Sequence, residues 1–199
     1  MTSELGHHET LASMLKDDVW KGYLRDFQTH LRLEKGMAEN SIRAYMVDVC
    51  HLAKFAQERK LAPAEVATAN VEKMLVELNE SDVAVASQCR MLSAWRMFYK
   101  MLLMGGEVKE NPVELVEMPR HGKHLPDVLT NDDIDAMEAT FDMSLPDQAR
   151  NCVIMEVLYG CGLRVSELTN LRLNDIYEDE ECLLVTGKGD KQRWVPINH

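Results

Sequence analysis

The chain has 199 residues, a formal net charge of -11, 46% hydrophobic residues, and thirteen methionines against four phenylalanines. That size admits one large domain or two small ones, the apolar share is ample for a core, and the methionine excess points to an adaptable, helix-rich interior. The acidic balance excludes a generic nucleic-acid binder with a basic excess, though a local basic face can still bind phosphates, and no run of about 18 apolar residues is present to cross a membrane.

The N-terminal stretch MTSELGHHETLASMLKDD has no basic segment and no apolar one, so it does not read as a signal peptide, and a cytoplasmic location is expected. From residue 18 to 104 the pattern is helical almost throughout. In ENSIRAYMVDVCHLAKFAQE the apolar positions Ile42, Tyr45, Val49, Leu52, Ala53 and Ala56 make the stripe of an amphipathic helix, with Asn40 or Ser41 as its expected N-cap. Residues 83–104 repeat the pattern with Cys89, Leu92, Trp95, Tyr99, Leu102 and Leu103, and weaker patterns cover 18–33 and 71–78. Four helices with short joints predict a small all-α bundle.

The following GGEVKENPVELVEMPRHGKHLPDVLT holds three prolines and three glycines and reads as a linker crossing a surface. Thr130 with Asp133 three residues on predicts a capping box opening a helix to about residue 140, a second helix covers about 147–159, and a third follows Arg164. The last part changes period. NDIYEDEECLLVTGKGDKQRWVPI predicts three short antiparallel strands over about 174–177, 182–186 and 193–197, with turns at the acidic run and at GKGD. The fold class is therefore mainly α: a four-helix unit, then a partial α+β unit with a three-stranded antiparallel sheet.

Five cysteines, Cys50, Cys89, Cys152, Cys161 and Cys182, lie far apart with no CxxC spacing, so they read as buried reduced thiols, and no metal is expected. Two short stretches carry chemistry. In YGCGLRVSEL, Gly160 and Gly162 allow a tight corner between helices, where positive φ is expected, and Arg164 then falls in the first turn of the next helix. A helix N-terminus favours anions, so an arginine there needs something negative beside it. Glu167 offers a purely structural pair; a docking anion offers a functional one. At the hairpin tip, Gly187-Lys188-Gly189-Asp190-Lys191, the lysine reads alone as a solvated charge, and the motif is no phosphate-cradling P-loop.

Taken together, GCGLRVSEL and TGKGDKQRWVPI, with Arg164 and Lys188 separated by 24 positions, resemble the tyrosine recombinase (phage integrase) family, nearest to its bacterial Xer members. LRLEKGMAENSIRAYMVDVCHLAKFA and SQCRMLSAWRMFYKMLL are similar to the family's core-binding, SAM-like domain, and NPVELVEMPR to the linker that follows it. The resemblance covers nearly all of the chain from about residue 18. It implies a core-binding domain over 18–105, a linker over 106–128, and the first part of a catalytic domain over 129–199. Arg164 matches the family's first catalytic arginine, which holds the scissile phosphate; Lys188 matches the hairpin lysine, the general acid; Glu167 becomes the residue orienting Arg164. In the core-binding part, Ser41, Arg43, Arg90, Arg96 and Lys100 are candidate phosphate contacts, with Arg96 and Lys100 forming a basic stripe opposite Leu92, Trp95 and Tyr99; the alternative for each is a solvated face.

The resemblance further implies strand exchange through a 3′-phosphotyrosine, isoenergetic and without metal, ATP or other cofactor. Double-stranded DNA with an inverted-repeat site would be the partner, together with a second recombinase in a tetrameric synaptic complex that resolves chromosome dimers. The chain contains no HxxR, and all five tyrosines (Tyr23, Tyr45, Tyr99, Tyr159, Tyr177) precede the hairpin, with Tyr45, Tyr99 and Tyr159 on apolar stripes that read as core. The expectation is a fragment truncated before those motifs, unable alone to cleave or join DNA, with apolar surface left exposed in its second part. A phage or transposon integrase, a DNA-binding regulatory fragment and a helical interaction module stand as alternatives.

Overall fold

The computed structural model describes residues 18–119 and 127–197, which fall into two compact units. The N-terminal stretch and residues 120–126 of the expected linker lie outside the described residues.

The first unit is helical. Helix α1 (Asp18–Thr29) continues into a π-helical turn at His30–Glu34, α2 spans Glu39–Glu58, α3 Thr68–Glu80 and α4 Val85–Met104. Trp20, Leu24, Phe27 and Leu31 fall every three or four residues and are all buried, as are Ile42, Met46, Val49, Leu52, Ala53 and Ala56 on α2. Tyr45 packs against the same cluster half-buried. The α2 N-cap is Ala38, without a side-chain cap, rather than Asn40 or Ser41. The helix starts two residues early, with Glu39 placing a carboxylate in its first turn, where the helix dipole favours it.

On α4, Leu92, Trp95, Phe98, Tyr99 and Leu102 are buried, Cys89 is half-buried, and Leu103, expected in the stripe, is exposed because it lies one step past the apolar face. Phe98 is the hub: Trp20 stacks on it at 6.0 Å, and Phe27 and Tyr99 meet it edge-on at 5.4 and 5.3 Å. The polar tips of the aromatic rings are satisfied in the interior. Trp20 Nε1 donates to the Leu61 carbonyl at 3.0 Å, Trp95 Nε1 to that of Asp48 at 2.7 Å, and Tyr99 OH to that of Pro63 at 3.1 Å.

The stretch read as a surface linker begins inside this core. Val113 and Val116 are buried in the helical cluster, and the Arg96 guanidinium donates to both their carbonyls, at 3.0 Å for Val113. Prolines and glycines marked the turns correctly, but the two valines between them bury like core residues.

The second unit opens with α5 (Asn131–Glu138), followed by α6 (Pro146–Gly160) and α7 (Val165–Asn170). The Thr130 capping box forms: its Oγ1 accepts the Asp133 N–H at 3.2 Å, and its own N–H donates to Asp133 Oδ2 at 2.9 Å. We expect Thr130→Ala to remove about 1 kcal/mol from this helix end, read as roughly fivefold faster hydrogen exchange at the amides of Asp133 and Ile134.

Strands β1 (Ile176–Tyr177), β2 (Cys182–Thr186) and β3 (Gln192–Pro196) form an antiparallel sheet in the order β1-β2-β3. Leu183, Val185 and Val195 face inward with Leu163, and Val185 pairs with Arg193 in the register. Trp194 and Tyr177 lie edge to face at 4.8 Å, with Trp194 exposed. Val153, Tyr159 and Leu173 are exposed too, so the second unit carries the open apolar surface that was expected. Among the described residues, no helix is long and apolar enough to cross a membrane.

Candidate active site

Gly160 is the last residue of α6 and helical; only Gly162 takes a positive φ, +60°, which turns the chain out of one helix and toward the next. Leu163 then buries as an anchor, and Arg164 follows as the N-cap of α7 with extended backbone (φ -77°, ψ 151°). Arg164 is thus one position ahead of the first turn where it was expected, because its own carbonyl already accepts the first helical hydrogen bonds, from Glu167 and Leu168.

An arginine is a poor cap by itself, having no acceptor to offer the free helix N–H groups. Glu167 resolves this. Its Oε2 accepts the Arg164 backbone N–H at 2.9 Å, and its Oε1 accepts Arg164 Nη1 at 2.8 Å. The same carboxylate is gripped from the other side by Arg193, Nη1 to Oε1 at 2.8 Å and Nη2 to Oε2 at 2.9 Å, a bidentate fork. Glu167 is buried, yet the Arg193 hydrogen bonds, with the Arg164 backbone N–H behind them, hold its carboxyl well below the usual carboxylate range and outweigh the cost of burial. The Arg164 side chain is 71% exposed, and among the described residues its Nε and Nη2 meet no protein acceptor.

The hairpin that carries Lys188 packs its stem on this carboxylate. The Gly187 N–H donates to the Lys191 carbonyl at 2.8 Å, closing the loop, and a Cβ on Gly187 would stand 3.1 Å from Glu167 Oε1 and 3.5 Å from Arg193 Nη1. A side chain here would therefore press on the carboxylate by a few tenths of an ångström. Lys188 itself is exposed at the tip. Arg164, Glu167 and the hairpin stem therefore meet at one point, while the lysine projects beyond it.

Arg193 was missing from the sequence candidates. Its signal was present: alternation along β3 places it on the inward face with Val195, and a charge there requires a partner.

The candidates in the helical unit divide. Arg90 Nη2 bridges to Oδ1 of the buried Asp48 at 3.1 Å. Arg96 donates to the Val113 and Val116 carbonyls, and together with the exposed Lys100 it lines a shallow hollow beside His30, Lys35 and Ser93. Ser41 and Arg43 are half-buried near the start of α2. Tyr159 is no core residue: it is exposed and its OH donates to Asn131 Oδ1 at 2.6 Å. All five cysteines are free thiols, but only Cys50 and Cys152 are buried, and burial pushes Cys50 up to about 11; the other three are half-buried.

The profile described as "Phage integrase, N-terminal SAM-like domain" matches residues 24–106, and that described as "Phage integrase family" matches residues 127–199. The chain belongs to the phage integrase family. Within that family, Tyrosine recombinase XerD of Lacticaseibacillus casei is 36% identical over 177 residues, 89% of this chain and 60% of that protein. Tyrosine recombinase XerC of Myxococcus xanthus is 36% identical over 176 residues, 88% of this chain and 58% of that one. The chain thus spans about 60% of the length of the curated relatives it matches. In fold, the phage integrase likeness extends to a lambda integrase tetramer bound to a Holliday junction, with a TM-score of 0.70 and 18% identity over 96% of this chain and 55% of that one.

Proposed function

We propose that this chain supplies the DNA clamp and the first half of the catalytic site of a site-specific tyrosine recombinase of Xer type, which resolves chromosome dimers at inverted-repeat sites as part of a tetramer with a second recombinase. In this reading residues 18–105 are the core-binding domain, 106–128 the connection, and 129–199 the opening of the catalytic domain. The single observation that carries it is the Glu167 carboxylate, which holds the exposed Arg164 and the stem of the Lys188 hairpin at one point.

Arg164 presents Nε and Nη2 to the non-bridging oxygens of the scissile phosphate and stabilises charge as the phosphorus becomes five-coordinate. Lys188 gives its proton to the departing 5′-oxygen as the bond to phosphorus breaks. The reaction exchanges one phosphodiester for another, so it needs no metal, ATP or other cofactor. All five tyrosines precede the Lys188 hairpin in the sequence; within the second unit the Tyr159 OH donates to Asn131 and Tyr177 packs on Trp194. The chain alone is therefore expected not to form a covalent adduct.

The test is binding to a labelled inverted-repeat duplex of Xer type across a salt series. We expect log K to fall linearly with log salt, and Arg164→Ala to reduce the slope by about one unit. Absence of binding even at low salt, or an unchanged slope in Arg164→Ala, would sink this reading.

A further inference from the structure

Glu167 carries one negative charge and touches two arginines that are not equivalent. Arg193 takes it with both terminal nitrogens and has a side chain 40% exposed, whereas Arg164 uses one nitrogen and is 71% exposed. An Arg164–Glu167 pair alone would be neutral and would offer an incoming anion nothing beyond a dipole. With Arg193 present the three groups carry a net charge of one positive, and the arm left reaching into solvent is Arg164.

We propose that Arg193 is a positioning residue: it neutralises Glu167, so that the charge and free donors of Arg164 remain for a phosphate, and it fastens the hairpin stem to the start of α7. This rests on Arg164 as the phosphate-holding group, as read above. The geometry assigns each partner a task. Arg193 sits opposite Val185 in the ladder, so its fork is set by strand register and not by a flexible loop. Gly187 lies against the Arg193–Glu167 pair, and a Cβ there would stand 3.1 Å from Glu167 Oε1. Glu167 orients Arg164 through the backbone N–H as well as the side chain, so Arg164 keeps its position even while its charge is shared. Arg193 touches no substrate atom in this scheme; it acts entirely through Glu167.

A charge-rescue experiment on the whole chain separates this role from a structural one. The probes are inorganic phosphate, followed by the side-chain nitrogen shifts of Arg164, and duplex DNA at low salt. Arg193→Gln should weaken both by about fivefold or more, as far as Arg164→Ala does, and Arg193→Lys should keep most of the affinity. Adding Glu167→Gln to Arg193→Gln should restore binding, because removing both charges returns the positive charge of Arg164. A purely structural role predicts further loss in the double variant, and that result overturns the proposal. So does Arg193→Gln binding as tightly as the parent while Arg164→Ala does not, which leaves the recombinase reading standing. Should Arg193→Gln fail to fold, the order of Arg193→Lys, the double variant and the parent decides alone. Phosphate affinities in the expected order with no binding to duplex DNA would count for Arg193 and against the recombinase reading.

Discussion

Replacing Phe98 by alanine is expected to destabilise the helical unit by about 3–5 kcal/mol, the range for emptying a full aromatic site in a close-packed core. Phe98 has no exposed surface, stacks on Trp20, and takes the edges of Phe27 and Tyr99, so the change leaves a cavity that three rings on two helices line. Each aromatic pair adds about 0.5–1.5 kcal/mol beyond buried area, and relaxation recovers little because two of the three rings, Trp20 and Tyr99, are pinned by hydrogen bonds. Against a typical total of about 5–15 kcal/mol this is close to unfolding. Leu103, five positions on and exposed, is the control: Leu103→Ala should stay within about 0.5 kcal/mol. Urea unfolding followed by the fluorescence of Trp20 and Trp95 measures both. A Phe98→Ala loss below about 1.5 kcal/mol would mean that neighbouring side chains refill the site, and the hub would not be what holds the helices together.

What the sequence made legible follows the strength of its periodic and local signals. The two longest helices of the first unit could be read because their apolar stripes run for several turns, and the Thr130 capping box because it is closed within four residues. The strands could be read within a residue or two because Cys182–Thr186 alternates between bounded turns. What failed depends on contacts distant in sequence. Nothing local to Val113 or Val116 shows that Arg96, some twenty positions earlier, holds their carbonyls and draws them into the core. Tyr159 shares the helical period of its neighbours, but its face of α6 is open, so it is exposed. The Arg164–Glu167 pair was readable at a spacing of three; the second arginine on that carboxylate, 26 residues away, required the register of β2 with β3.

The same dependence on distant partners governs the pH response of the helical unit. Asp48 lies on α2 with no exposed surface; Oδ1 accepts from Arg90, and Oδ2 has no partner among the described residues. Burial pushes its carboxyl up to about 6, and the half-exposed Arg90 only partly offsets that. The folded unit therefore binds this proton more tightly than the unfolded chain does, so ionised Asp48 costs stability at neutral pH. That cost is relieved as pH falls through about 6 toward the unfolded value near 4. His51, on the same helix, works the other way. Burial, with Lys54 and Arg90 nearby, holds its pKa down, so it penalises the folded state as pH drops below the ordinary histidine value. The raw profile mixes the two, and the difference between the parent and Asp48→Asn isolates the carboxyl. We expect parent stability minus variant stability to rise by about 2 kcal/mol between about pH 7.5 and pH 4, measured by urea unfolding at each pH. A flat difference would mean that Arg90 compensates the buried charge in full. Arg90→Met completes the argument: it should cost about 3–5 kcal/mol at neutral pH, where it leaves a buried carboxylate alone, and much less near pH 4, where that carboxylate is neutral. On the recombinase reading, an Arg90 held by Asp48 has part of its charge already answered at neutral pH, so its share of the salt slope should grow as Asp48 takes up its proton.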